Sequence, residues 1–138
     1  MSSLPAEPGF TPLLETSFAV MSSECPEAYQ RICQLLAGDE VGITIDAESL
    51  SVRFEAGQAV VLRTPQQPTV HVAATKQTLL DLIDARYTLE HAITRDLLHV
   101  RGKMNELIRF YEAVQLYIHG AVRCPSFPDL LSDYRYRN

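Results

Sequence analysis

Apolar residues change their spacing along this chain, and each change marks a new element. Between residues 26 and 37, Tyr29, Ile32, Cys33, Leu36 and Ala37 recur at helical spacing, which predicts a helix stopped at Gly38. The period then switches to two. Val41, Ile43 and Ile45 alternate with Gly42, Thr44 and Asp46, and Leu50, Val52 and Phe54 alternate with Ser51, Arg53 and Glu55. Ala56-Gly57-Gln58 predicts a turn, and residues 59–63 a returning strand. After a loop holding Pro65 and Pro68, Val70 and Val72 face one way and His71 the other. The block reads as an antiparallel meander with one buried and one polar face.

The second half mixes helices with one strand. Thr75 or Thr78 caps a helix carrying Leu79, Leu80, Leu82 and Ile83, and Thr88 opens a shorter one with Leu89, Ala92 and Ile93. Leu98 and Val100 alternate with His99 and Arg101 to predict a fifth strand, ended by Gly102. From Met104 to about residue 121 a long helix follows. Its apolar residues Met104, Leu107, Ile108, Phe110, Tyr111, Val114, Tyr117 and Ile118 cover about 180° of the circumference, where a surface helix needs a stripe of ~100°. That width predicts two apolar neighbours. One is the sheet. The other is the C-terminal segment with Phe127, Leu130 and Leu131, or a ligand, or a second subunit in a homodimer. At the start, Pro5, Pro8 and Pro12 around Gly9 predict a loose arm over residues 1–12, then a short helix over 13–21 capped by Thr11. At the end, a helical turn over 129–134 leads to a surface tail of Tyr134, Arg135, Tyr136 and Arg137.

Composition narrows the function classes. The 138 residues suit one domain, and 46% hydrophobic residues suffice for a core. A net charge of −5 argues against a nucleic-acid partner and gives no general attraction to anionic membranes. The first ten residues lack the basic and apolar regions of a secretory signal, and no apolar run approaches the ~20 residues of a membrane span. A cytoplasmic protein without integral membrane association is expected. Cys25, Cys33 and Cys124 show no CxxC spacing, so reduced thiols are expected rather than a disulfide scaffold or zinc ribbon. No phosphate-binding loop, GxGxxG, GxSxG or HExxH occurs, and His71, His91, His99 and His119 are dispersed. No metal and no cofactor is expected. Asp46 and Glu48 fit turn chemistry, Glu90 and His91 point about 100° apart on a helix, and Cys33 lies on an apolar helix face where a thiol is inert.

Two stretches carry a resemblance. Residues 70–83, Val-His-Val-Ala-Ala-Thr-Lys-Gln-Thr-Leu-Leu-Asp-Leu-Ile, look like a strand running into a Leu-rich helix in the sterol carrier protein type 2 family, and Leu97-Leu98-His99-Val100-Arg101-Gly102 resembles that family's last strand. The long helix after it matches in place and character, and the strand block matches in pattern. Two positions depart: Ala85-Arg86 stand where members often carry Gly-Lys, and Lys103 where an acidic residue is frequent. The resemblance implies an α+β fold, a five-stranded mainly antiparallel sheet covered on one face by helices, with an apolar tunnel between. It spans residues 26–121, leaving 1–25 as an arm with a short helix and 122–138 as a C-terminal extension. It further implies lipid-facing positions at Phe54, Leu79, Leu82, Ile83, Ile93, Val100, Leu107, Tyr111 and Val114, with Tyr111 and Tyr117 offering a hydroxyl to a ligand's polar end. The expected activity is binding, transfer or presentation of a fatty acyl, sterol-like or isoprenoid lipid, with no catalytic residue. The alternative is an enzyme using the same cavity, for which Asp81, Asp84, Glu90 and His91 are the acid–base candidates.

Overall fold

Turn chemistry cuts the alternating block into hairpins. The structure is a computed structural model that describes residues 9–136; Pro5 and Pro8 of the expected arm and Arg137 of the expected tail lie outside the described residues. Strands β1 (Glu40–Ile45) and β2 (Glu48–Glu55) join through Asp46-Ala47. Strands β2 and β3 (Gln58–Leu62) join through Ala56 and Gly57, at φ 54° and 72°. Positive φ at both central residues gives the hairpin turn whose twist matches its strands, and Gly57 adopts it without the Cβ penalty that Ala56 accepts.

Strand β4 (Val70–Ala74) does not extend the meander. It lies parallel to β1, Val41 opposite Val70 and Ile45 opposite Ala74, and β5 (Leu98–Gly102) pairs antiparallel on its far side. The sheet order is β3-β2-β1-β4-β5. The cause is the connector. Residues 63–69 are too long and too rich in proline for a tight hairpin, and they return the chain across β2 and β1. Glu40 holds them there. Its carboxylate, only 4% exposed, accepts hydrogen bonds from the Gln66 and Gln67 N–H groups at 2.8 and 3.2 Å and from Arg53 Nη2 at 3.1 Å. The Thr69 N–H donates to the Glu40 carbonyl at 2.8 Å. Burial opposes the charged carboxylate, but these donors outweigh it and hold Glu40 below the usual carboxylate range.

The register gathers Val41, Ile43, Ile45, Leu50, Val52, Phe54, Val70, Val72, Ala74 and Leu98 on one sheet face. Six helices, α1 (Phe10–Glu24), α2 (Pro26–Leu35), α3 (Lys76–Ile83), α4 (Leu89–Thr94), α5 (Met104–Ala121) and α6 (Phe127–Tyr136), complete the α+β architecture. The sheet is mixed, with three antiparallel pairings and one parallel. Thr75 caps α3 by accepting from the Thr78 N–H, and Thr88 caps α4 by accepting from the His91 N–H.

Among the described residues, the segments near both ends are more ordered than their composition predicts. Helix α1 begins at Phe10, so Thr11 lies inside its first turn and does not cap it. The N–H groups of Phe10 and Thr11 donate to the Glu48 carboxylate at 2.8 Å each, joined by the Thr11 hydroxyl. Pro12 falls in the same turn, where a helix has no internal use for the missing N–H. Phe10, Leu14, Phe18 and Met21 recur every third or fourth residue and are all buried. Helix α6 runs ten residues rather than one turn. Tyr134 is buried in it, edge-on to Phe10 at 6.2 Å, with Lys76 Nζ 4.6 Å from its ring centre.

Glu40→Ala should lower unfolding free energy at pH 7 by about 2–4 kcal/mol in urea titration, because it strands two amide donors and a guanidinium. The folded carboxyl titrates below the unfolded one. Its contribution is therefore complete above about pH 4.5 and fades as pH falls through the folded value. The gap between wild type and variant should narrow toward pH 3, and a gap constant across that range would show that the charge is not what holds the loop.

Candidate functional site

Packing between the sheet and the helices is incomplete. A cavity of about 200 Å³ lies there. One water needs ~10–15 Å³ on that measure, so the space holds many atoms. The sheet lines it with Val41, Ile43, Ile45, Val52, Phe54, Val72, Ala74 and Leu98. Helix α1 contributes Phe10, Leu13, Leu14 and Phe18; α3 gives Leu79, Leu82 and Ile83; α5 gives Phe110, Ala113, Val114, Tyr117 and Ile118; Ile32, Leu36, Leu89 and Phe127 complete the wall. Leu79, Leu82 and Ile83 on α3 and Phe110, Val114 and Ile118 on α5 are only half-buried, which puts the exposed side of the cavity between those two helices.

Among the described residues, Tyr117 carries the one polar side-chain atom in this wall. Its hydroxyl donates to Ser17 Oγ at 2.7 Å, and Ser17 donates to the Leu14 carbonyl at 2.8 Å. Burial pushes the phenol up to about 12, so it stays neutral at ordinary pH. Phe18 and Phe127 meet its ring edge-on at 5.8 and 6.0 Å, and this aromatic cluster forms one end of the cavity. A wall of this kind gives water too few partners to stay. Left empty, the space costs on the order of 5 kcal/mol at ~24 cal/mol per Å³, which is comparable with the whole net stability of a small domain.

Of the nine positions marked out in the sequence, Phe54, Leu79, Leu82, Ile83 and Val114 line this cavity, and four do not. Ile93 is 39% exposed, because the buried side of α4 is taken by Leu89 and Ala92. Val100 shares the sheet face of Leu98 but lies two residues farther along the edge strand, past the cavity. Leu107 sits in the first turn of α5, where it packs on Gly102. Tyr111 is turned to α4, and its hydroxyl donates to Glu90 Oε1 at 3.0 Å rather than offering itself to a ligand. A whole element that sequence reading leaves out of the wall is α1, although its recurrence of Phe10, Leu14 and Phe18 is legible once Pro12 is placed inside the first turn. Ile43 and Ile45 were legible too, since alternation puts them on the Phe54 face.

The acid–base candidates lie outside the wall. Asp81 accepts from Gln77 at 3.0 Å, and Asp84 accepts two hydrogen bonds from Arg135 at 3.0 and 2.8 Å. Glu90 is bonded to Tyr111, and the His91 ring lies 5.5 Å from Tyr87. Among the described residues no group of three His, Cys, Asp or Glu side chains is placed to hold a metal ion, and no helix is long and apolar enough to cross a membrane.

No family model and no curated protein matches this chain. Solved structures do. A protein described as UbiJ-SCP2 ubiquinone synthesis protein superposes with a TM-score of 0.60 at 21% identity, over 84% of this chain and 98% of its own. The sterol carrier protein domain 2 of Helicoverpa armigera gives 0.60 at 13% identity, over 85% and 95%. Sterol carrier protein 2 from Yarrowia lipolytica gives 0.55 at 10% identity, over 84% and 98%. The chain has the sterol carrier protein 2 fold.

Tyr117→Phe should cost about 1 kcal/mol at neutral pH by removing one buried hydrogen bond. The folded phenol titrates above the unfolded one, so its contribution is complete below pH 10 and lost as pH rises through about 12. Chemical denaturation between pH 9 and 11.5 should therefore show a shallower alkaline loss in the variant. Equal slopes would mean that Tyr117 is not the group titrating there.

Proposed function

We propose that this chain binds a hydrophobic small molecule in the cavity and carries or presents it. The observation that carries the reading is the wall itself: its side chains are hydrocarbon except for one phenol, and that hydroxyl is already hydrogen-bonded. A ligand gains there by burying hydrocarbon, at ~0.8 kcal/mol per methylene. About ten buried methylenes give roughly 8 kcal/mol before the costs of association, which sets an affinity no tighter than micromolar. That range allows release. Any polar end of the ligand stays at the exposed side, between α3 and α5. Fatty acyl, sterol-like and isoprenoid chains all meet these conditions. The fold neighbours support the same classes, since some are described as sterol carriers and one as a ubiquinone synthesis protein. Carriage is preferred to conversion because none of the four acid–base candidates lines the cavity.

Leu82→Trp combined with Val114→Trp should fill the space and weaken binding of a fluorescent fatty-acid analogue at least tenfold, with the fold checked by circular dichroism. Ile93→Trp, outside the wall, should leave affinity unchanged. A folded double variant that binds the probe as well as wild type does would sink the assignment of this cavity as the ligand site.

A further inference from the structure

Two cysteines 99 residues apart meet outside the cavity. Cys25 occupies the break between α1 and α2, and Cys124 the connection between α5 and α6. Their sulfurs lie 3.2 Å apart, the Cys124 thiol donating to Cys25 Sγ and the Cys25 thiol to the Gly120 carbonyl at 3.7 Å. A formed bond needs ~2.05 Å, so an approach of about 1.2 Å separates the two states. The backbones on either side are already joined. The Glu24 carboxylate accepts from the Ser126 N–H at 3.1 Å and from its hydroxyl. Gly120 brings α5 so close to α2 that a Cβ there would stand 3.0 Å from Ala28 Cβ. Two independent contacts thus hold the two thiols face to face. Cys33, buried on α2, takes no part in this pair.

We propose that Cys25 and Cys124 form a modification site, at which a peroxide joins them in a reversible intramolecular disulfide. Cys25 is the more exposed of the two and reacts first. Its thiolate attacks one peroxide oxygen, the O–O bond breaks, and a sulfenic acid and hydroxide result. Cys124 then attacks the Cys25 sulfur. The S–O bond breaks, the S–S bond forms, and the Cys124 proton leaves with the departing hydroxide as water. Two thiols and one peroxide become one disulfide and two waters, and a dithiol reverses the change. Burial pushes the Cys124 thiol up to about 12, so the thiolate that meets the peroxide is not drawn from Cys124. The bond staples the start of α6, whose Phe127 lines the cavity, to the helix pair at the other end of the sequence.

The test is exposure of the full chain to hydrogen peroxide, with dithiothreitol as the reverse. Wild type should lose the mass of two hydrogens. A non-reducing peptide map should link the Cys25 and Cys124 peptides while Cys33 still takes an alkylating agent. Closing a loop of about 100 residues should also raise the melting temperature by several degrees, reversibly. Cys25→Ser and Cys124→Ser should each abolish the mass loss, and Cys33→Ser should keep it. The wild-type map stands on its own if a variant fails to fold. Uptake of oxygen alone, a link that includes Cys33, or mass loss that survives in Cys25→Ser would overturn the proposal.

Discussion

The architecture turns on one carboxylate beneath a loop. Glu40 starts β1 and, from the same position, binds the chain that returns over the sheet toward β4. Because that return ends beside β1 and not beside β3, β4 and β5 are added on the opposite side of β1 from β2 and β3, and α3 follows from β4. Helix α3 then faces α5 across the inner surface. An antiparallel meander continued past β3 would have put α3 beyond the far edge, with no facing helix.

Helices near both ends of the sequence, α1 and α6, help to close the inner surface. Glu48 on β2 fastens the start of α1, and Arg135 reaches Asp84 at the end of α3 from the last helix. Burial disfavours the Glu48 charge, but the donors from Thr11 and Phe10, helped by Arg63, keep its carboxyl below the usual range. Much of the wide apolar arc of α5 is used by this arrangement, while Met104 and Ile108 stay exposed. Part of it meets α1 and α2 at Gly120, part meets Phe127, and part borders open space.

Elements with a clean period were legible in the sequence: α2, the strands, α3, α4 and α5. Individual cavity positions followed where alternation or helical phase fixed them, as at Phe54, Leu82 and Val114. What failed was long-range. The partner of β4 depends on a seven-residue connector and a buried glutamate, and no local pattern encodes either. Proline near the N-terminus pointed to loose chain, yet proline is harmless in a first helical turn, and the contacts with Glu48 decide the outcome. Leu107 had the right helical face but the wrong height along α5, and Tyr111, at the right height, turns its hydroxyl to Glu90 on α4. The Cys25–Cys124 pair was invisible for the same reason, since its members approach only through the packing of α5 on α2.

A wall with no free donor and no charge has a further consequence. It selects by volume and outline, because it holds no directional group by which one headgroup or oxidation state is told from another. Between two hydrocarbon chains differing by a single methylene such a surface distinguishes by ~0.8 kcal/mol, about fourfold. On the proposed carrier reading, what fills it at any moment is then governed by mass action, by which molecules of suitable girth are most abundant nearby.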